Sequence, residues 1–325
     1  MRLCRALVVM VVLLALVVGG AWRAARQWYA APGPLPAEAT VMIEPGTGVH
    51  GIAQGLADAG VLRWPLVYLA IVLAEQPRAM LQAGEYAFPP GIAPQAVTAK
   101  LRRGEVVRHR LTIPEGWTSA DIVALLRQEP RLTGALPDDP AEGTLLPATY
   151  FFRRGDSRMQ LMTRMQAHMQ AVVDAAWHTR KPDVPLRTPQ DALTLASIVE
   201  KETGSPEERG RVAAVLLNRL RRGMKLQADA TTLYAIAHAR GEWKQVLSRD
   251  DLAIASPYNT YVTPGLPPGP IAHPGKAALE AVLNPPETAD LYFVATGTGG
   301  HVFATTLAEH HRNIAQYRPP GSRHP

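Results

Sequence analysis

Hydrophobic positions are arranged along this chain in three different ways. Residues 6–22 form one uncharged apolar run, and roughly 17 residues is close to the shortest helix that crosses a bilayer core. Arg2 and Arg5 precede the run and Arg23 and Arg26 follow it, so the flanking charges favour an inside amino terminus only slightly. An uncleaved anchor with the hydrophilic remainder outside is the expectation. A cleaved signal peptide is the alternative, since Gly19 and Ala21 are small, but Trp22 would lie beside the cut and the run is long for a cleaved segment. Residues 31–39 (APGPLPAEA) are proline-rich and weakly charged, which predicts a stiff extended tether. After it the apolar positions become periodic. Val41 to Glu44 has strand character, residues 45–48 are turn chemistry, and Val49, Ile52 and Leu56 share a helical face closed by Gly60. A second apolar helix is expected from Trp64 to Glu75, then a short strand at residues 84–88.

This order of strand, helix, helix and strand resembles a LysM-like carbohydrate-binding module, placed at residues 40–105 after an anchor region at 1–30. Residues 106–320 are expected to form a larger domain of mixed α+β class. The strand, turn and helix built on Val41, Gly46, Ile52 and Leu56 recur at a fixed offset as Leu111, Gly116, Ile122 and Leu126. Convergence of short units explains the echo as well as duplication does, and it carries no function. Residues 256–271 hold five prolines and two glycines, a composition that prevents regular structure while fixing the backbone, as suits the wall of a binding site.

The most informative helix begins at Thr188, with a capping hydroxyl, Pro189 in the first turn and Asp191 three residues after the cap. It runs on to Glu200 and Glu202. At 100° per residue Glu200 lies in line with Leu193, Ala196 and Ser197, and Glu202 lies on the opposite side with Leu195, Ile198 and Val199. Small neighbours leave room for a ligand at Glu200, whereas bulky aliphatics point to core packing and a structural arginine partner for Glu202. Desolvation on such a helix raises a carboxyl pKa and makes it a proton donor near neutrality. On helix geometry alone, a buried salt-bridge partner is the plainer account of Glu200. Ser205-Pro-Glu-Glu208 reads as a capping box opening the next helix, and Arg219, Arg221 and Arg222 as charges answering that helix's dipole.

Composition narrows the remaining chemistry. The single cysteine, Cys4, excludes a disulfide framework and a cysteine-rich zinc site. The ten histidines are scattered without H-E-x-x-H, and no G-x-S-x-G elbow, P-loop or G-x-G-x-x-G occurs. Residues 297–300 are explained by a hairpin turn between two strands. Neither a metal nor a cofactor is expected, and acid–base chemistry by a carboxylate remains. The net charge of +6 suits an anionic partner, and export disfavours nucleic acid among the candidates.

Leu195-Ala-Ser-Ile-Val-Glu-Lys-Glu-Thr203, Val212-Ala-Ala-Val-Leu-Leu-Asn-Arg-Leu220, Met224-Lys-Leu-Gln-Ala-Asp229, Tyr258-Asn-Thr-Tyr261, Gly265-Leu-Pro-Pro-Gly-Pro-Ile271 and Leu291-Tyr-Phe-Val-Ala together resemble the YceG-like family. The resemblance covers the anchor, the module and essentially all of the remainder. It implies an endolytic peptidoglycan lytic transglycosylase that cuts the MurNAc–GlcNAc β-1,4 bond of nascent strands, leaves 1,6-anhydroMurNAc ends and terminates strand elongation. It makes Glu200, the first acid of Val-Glu-Lys-Glu, the catalytic residue, and Gln227, Asp229, Asn259 and Tyr261 the lining of the cleft. It implies peptidoglycan strands and penicillin-binding proteins as partners, no nucleic acid, and a single-pass location in the bacterial inner membrane with the catalytic domain in the periplasm. Ala230, Ala148 and His273 depart from the family's pattern, which bears on loop shape and substrate preference.

One carboxyl suffices for such a reaction, because the tethered C6 hydroxyl of MurNAc replaces water as the attacking group. A hydrolase of the same substrate, which needs a second carboxylate or an activated water, and a non-catalytic glycan-binding scaffold for wall synthases are the alternatives.

Overall fold

The apolar run at the start of the chain becomes one helix, α1 (Arg2–Ala30), in a computed structural model that describes residues 2–75, 81–136, 140–241, 244 and 246–317. Its residues from Cys4 to Ala30 are long and apolar enough to cross a membrane. The chain divides into two units, the first made of Met1–His109 and Phe151–Gly155, the second of Arg110–Tyr150 and Asp156–Pro325. Residues 76–80 of the first and 318–325 of the second lie outside the described residues.

In the first unit β1 (Ala39–Ile43), α2 (Val49–Asp58), α3 (Pro65–Glu75) and β2 (Gly84–Phe88) follow in that order, with α4 (Pro94–Arg103) after them. The strands pair antiparallel with Ala39 opposite Phe88 and Ile43 opposite Gly84. The core joins Ile43, Ile52, Leu56, Tyr68, Ile71, Tyr86, Phe88 and Leu101, so each amphipathic element closes its apolar face on the others. The end of α1 belongs to this core: Tyr29 is buried and its hydroxyl donates to Thr98 Oγ1 at 2.8 Å. The proline-rich residues 31–38 carry no regular structure and bend at Ala31, Pro34 and Ala37, and they are no free tether. Leu35 is buried, Gly33 N–H donates to the Gly91 carbonyl, and Gly91 N–H returns the bond to the Leu35 carbonyl. A Cβ on Gly33 would meet the Ile92 carbonyl, so the segment is held by backbone approach that only glycine permits.

The second unit is mixed α and β, mostly helical. A short sheet pairs β3 (His109–Thr112) with β4 (Thr149–Phe152), and between them runs α5 (Ser119–Gln128), capped by a reciprocal Thr118–Asp121 box. The helices α6 (Arg158–His178), α7 (Pro189–Glu202), α8 (Pro206–Arg221) and α9 (Asp229–Arg240) follow. Beyond them come the short α10 (Arg249–Leu252), α11 (Lys276–Leu283), the hairpin β5 (Tyr292–Ala295) with β6 (His301–Ala304), and α12 (Leu307–Tyr317). The helix α7 is central, since Ala192 to Val199 are all buried and its apolar side chains share one core with Val212, Leu216, Leu279 and Val282 of α8 and α11. Residues 256–271 form an ordered irregular loop, as their composition requires.

Candidate active site

Helix α7 begins as its sequence predicts. Thr188 accepts the Asp191 N–H at 3.1 Å and Asp191 accepts the Thr188 N–H at 3.1 Å, with Pro189 in the first turn, which fixes the helix start and the direction of every later side chain. Glu200 and Glu202 leave its last turn on opposite sides, into two different environments.

Glu200 enters a crowded one. Its side chain is 6% exposed, Oε2 accepts the Gly275 N–H at 2.9 Å, and Oε1 lies 3.6 Å from Arg209 Nη2. Gly275 is the N-cap of α11, so the carboxylate answers the free N–H groups and positive end of that helix. Desolvation raises its pKa, the Gly275 N–H opposes that shift, and the Glu115 charge adds to it. The small residues Ala196 and Ser197 make room for protein rather than for ligand. Ser197 Oγ accepts the Ile271 N–H at 3.0 Å, and a Cβ on Gly116 would lie 3.7 Å from Glu200 Cγ.

Glu202 enters an open one. It is the last residue of α7, one turn beyond Val199, where the aliphatic stripe ends and a cavity of about 420 Å³ begins, lined also by Arg219, Gln227, Asp229, Tyr261 and His301. A second recess of about 270 Å³ shares Glu202 and Asp229 and adds Lys201, Ala230, Tyr234 and Lys244. Glu202 Oε1 is shielded from solvent with no hydrogen-bond partner. Burial pushes its pKa up to about 7, the Asp229 charge adds to the rise, and the Ala230 N–H and Arg219 oppose it. A carboxyl in that range is protonated for a large fraction of molecules at neutral pH and can give up its proton to a ligand.

Three of the residues expected in the cleft therefore gather around Glu202, and Glu200 lines neither cavity. Tyr261 donates its hydroxyl to Asp229 Oδ1 at 2.5 Å. Gln227 N–H donates to the Thr260 carbonyl, and Gln227 Oε1 accepts from Arg219 Nη1 at 3.3 Å. Gln227 has φ of 50°, alone among the described non-glycine residues in the left-handed region, a strained conformation that turns its side chain toward the cavity just before α9. Asn259 is placed differently. It is fully buried, its amide donates to the Leu252 and Ile254 carbonyls, and Oδ1 accepts from Thr232 Oγ1 and the Tyr261 N–H. Every polar atom of that side chain is used inside the protein, so Asn259 shapes the loop that carries Tyr261 and does not line the cleft.

Two residues in the cavity wall carry no clear signal in the sequence. Arg219 is a supporting residue more than a helix-dipole charge: it is buried and donates to the carbonyls of Leu226 at 2.8 Å and Leu291 at 2.7 Å. Its one visible hint is a charge inside the apolar run from Val212 to Leu220. His301 arrives from the far end of the chain and is held by Glu208, which accepts from the His301 N–H and pairs with Nδ1 at 2.7 Å. Glu208 thus serves β6, and the expected capping box at Ser205 is not formed, since Ser205 makes no side-chain cap bond and donates instead to Glu207.

The departures from the family pattern are accounted for locally. Ala148 supports β3 through its carbonyl, which accepts the Ile113 N–H, and Ala230 acts on Glu202 through its N–H. His273 is fully buried. Nδ1 accepts the Leu145 N–H at 3.0 Å, so Nε2 carries the proton and faces Ser119 Oγ at 2.9 Å. Desolvation holds its pKa down at about 4, which keeps it a neutral tie. Among the described residues no three His, Cys, Asp or Glu side chains gather as a metal-ligand set.

Comparison with known proteins agrees with this arrangement over most of the chain. The YceG-like family matches residues 41–316. An endolytic murein transglycosylase of Bacillus subtilis (strain 168) is 31% identical over 309 residues, covering 85% of this chain and 84% of that protein. A protein of the same name from Streptococcus pneumoniae serotype 2 is 31% identical over 326 residues, but this chain spans only 58% of its length. The crystal structure of a yceG-like protein from Listeria monocytogenes superposes with a TM-score of 0.53 at 30% identity, covering 85% of this chain and 98% of that one. The match runs through both carboxylates of α7, the α8–α9 junction, the proline-rich loop and the final hairpin, and on that extent the chain belongs to the YceG-like family.

Proposed function

We propose that this protein is a peptidoglycan lytic transglycosylase that cuts glycan strands internally, with Glu202 as its acid and the cavity beneath α9 as its subsite. Family membership and the name shared by two relatives support the reaction class. The observation that carries the site is the buried, unpartnered Oε1 of Glu202 in the wall of that cavity. Glu200, the sequence's first choice, accepts the Gly275 N–H through one oxygen and faces Arg209 at 3.6 Å through the other, and in this reading it serves to position α11 and the loop before it.

In this reading protonated Glu202 gives its proton to the oxygen linking MurNAc to GlcNAc as the C1–O bond breaks. The carboxylate so formed takes the proton of the C6 hydroxyl of the same MurNAc while O6 bonds to C1, which closes a 1,6-anhydro ring and restores the acid. Water is replaced by a tethered nucleophile at a large entropic advantage. Gln227 and the Tyr261–Asp229 pair bind sugar hydroxyls and the N-acetyl group.

Asp229 favours one second reading. A carboxylate beside the acid is the pattern of hydrolytic glycosidases, in which it activates water, and Asp229 lines both cavities with Glu202. Mass spectrometry of the products from uncrosslinked glycan separates the two. Anhydro ends from the wild type and from Glu200→Gln, with none from folded Glu202→Gln, support the transglycosylase and its acid. Reducing ends establish a hydrolase. Loss of cleavage in Glu200→Gln alone returns the acid to Glu200, and no cleavage by a wild type that binds glycan leaves a scaffold.

We further infer that α1 is an uncleaved single-pass anchor of the bacterial inner membrane, with both units in the periplasm, and that the β1–α2–α3–β2 module is a LysM-like unit that holds the strand. Strand termination and a partnership with penicillin-binding proteins complete the reading. Co-purification with such a synthase tests the last point.

A further inference from the structure

Helix α3 is apolar on both of its sides. Tyr68, Ile71 and Val72 are buried in the core of the first unit, while Leu66, Ala70, Leu73 and Ala74 form a continuous exposed stripe on the opposite face, with Leu66 69% and Leu73 47% exposed. No charge interrupts that stripe before Glu75. A helix that buries one apolar side in its own domain and offers another to the outside has a second, apolar environment to meet.

The contacts of α1 show which environment lies there. Glu75, at one end of α3, accepts from Arg26 Nη2 at 2.6 Å, and Trp64, just before the other end, packs on Trp28 with ring centroids 5.4 Å apart. These two sites on α1 are separated by about 3 Å along its axis, whereas the 11 residues of α3 extend about 16 Å. The short helix therefore crosses the long one instead of running beside it. If α1 stands across a bilayer, α3 lies along its surface. The level is also determined, because Trp28 is six residues beyond Trp22, the end of the uncharged run, which is about 9 Å of helix and reaches the headgroup layer. The direction follows from Tyr29, which joins α1 to the buried side of α3 at a ring separation of 6.3 Å. The domain core closes around the end of α1, and the exposed stripe lies on the side of α3 away from that core.

We propose that the exposed face of α3, together with Trp64 and Arg63, docks into the outer interface of the membrane that α1 crosses, fixing the first unit at the bilayer surface. Trp64 is 46% exposed and carries the Arg63 guanidinium over its ring at 5.3 Å, a pairing of aromatic and cation suited to headgroup depth. The occupant is the lipid surface, chosen because α1 delivers the stripe to it. The proposal rests on the anchor reading of α1 given above.

The test uses the full chain in vesicles of phosphatidylcholine and phosphatidylglycerol. With Cys4→Ser as background, an environment-sensitive fluorophore is attached at Leu13→Cys in α1, at Leu66→Cys and Leu73→Cys in α3, and at Gln54→Cys on the exposed side of α2. Lipid-borne doxyl groups are expected to quench the labels at 13, 66 and 73, those at 66 and 73 more strongly from shallow than from deep positions, and to spare the label at 54. Quenching at 13 with none at 66 and 73 overturns the docking surface and leaves the anchor standing. Absence of quenching at 13 overturns the anchor, and the proposal with it. Shielding of the α3 labels from aqueous iodide without lipid quenching shows that a protein, a second copy included, covers the stripe, and also overturns the proposal.

Discussion

The two sides of the last turn of α7 are built on opposite principles. On the Glu200 side, Gly275, Gly116, His273, Ser119 and Leu145 tie separate segments together through hydrogen bonds, and Arg209 Nη2 faces the carboxylate at 3.6 Å while its Nε is shielded without a partner. On the Glu202 side a carboxyl oxygen is left unpartnered and Gln227 holds a left-handed backbone. Saturated buried polar groups stabilise, and unsaturated or strained ones persist only where the rest of the fold holds them for use. In the proposed function that comparison sets a structural carboxylate beside a chemical one, although both are buried and both have raised pKa values.

The largest test is of the chemistry. Glu202→Gln should lower cleavage by about 10²- to 10⁴-fold, the usual worth of a positioned general acid. Because burial pushes the Glu202 pKa up to about 7, the active acid form is lost as pH rises through that value, and wild-type kcat should fall there. The same shift has a cost in stability. The folded state binds a proton that the unfolded state has released between the ordinary carboxylate range and pH 7, so stability contributed at acid pH disappears as pH rises across that window. The variant should then unfold at higher denaturant than wild type at pH 8 and lose that advantage at pH 5. A variant equally unstable at both would place Glu202 among the saturated groups.

The next effect lies on the other side. His273 is held neutral at about pH 4 against about 6.5 when unfolded. Its contribution is complete above pH 6.5 and is lost as pH falls toward 4, about 3 kcal/mol in all. Urea midpoints at pH 7.5 and 4.5 check this, because His273→Asn should narrow the difference between them. An unchanged difference would mean that the imidazole is no part of the tie.

Glu200→Gln should change stability by less, within about 1 kcal/mol at neutral pH, because the amide still accepts the Gly275 N–H and desolvation of the carboxylate offsets what its charge gains from Arg209 and the α11 terminus. Chemical denaturation reads that small change, and cleavage should stay within severalfold of wild type. A collapse of activity without loss of stability would reverse the assignment of the two carboxylates.

How far this contrast could be read beforehand depends on what each residue needs to be understood. The start of α7, its buried stripe and the opposite directions of Glu200 and Glu202 follow from the Thr188–Asp191 cap and the 100° rotation, which are local. What fills the space beside each carboxylate is not local. Ala196 and Ser197 look like room for a ligand until the loop at Ile271 packs into it, and Val199 looks like continuing core until the helix ends at Glu202. Asn259 lies in a motif beside Tyr261, but its polar atoms turn inward to Leu252, Ile254 and Thr232. His301 and Arg219 join the cavity through long-range pairing that no spacing encodes. The first unit was more legible for the same reason, because its strands, turns and helices pack on near neighbours, although α4 and the docking of residues 29–35 escaped notice.

The smallest effect bears most directly on strain. Gln227 is held at φ 50°, which costs a residue with a Cβ about 1–2 kcal/mol, whereas glycine takes that conformation freely and loses part of the gain to its larger unfolded-state entropy. Gln227→Gly should therefore raise stability by about 0.5 kcal/mol after that loss, while removing the amide that Arg219 orients in the cavity wall and weakening glycan cleavage. Gain of stability with loss of activity is the signature of a backbone held under strain for function. Loss of both would show instead that the bond to Arg219 outweighs the backbone cost, and Gln227 would then belong with the ties on the far side of α7.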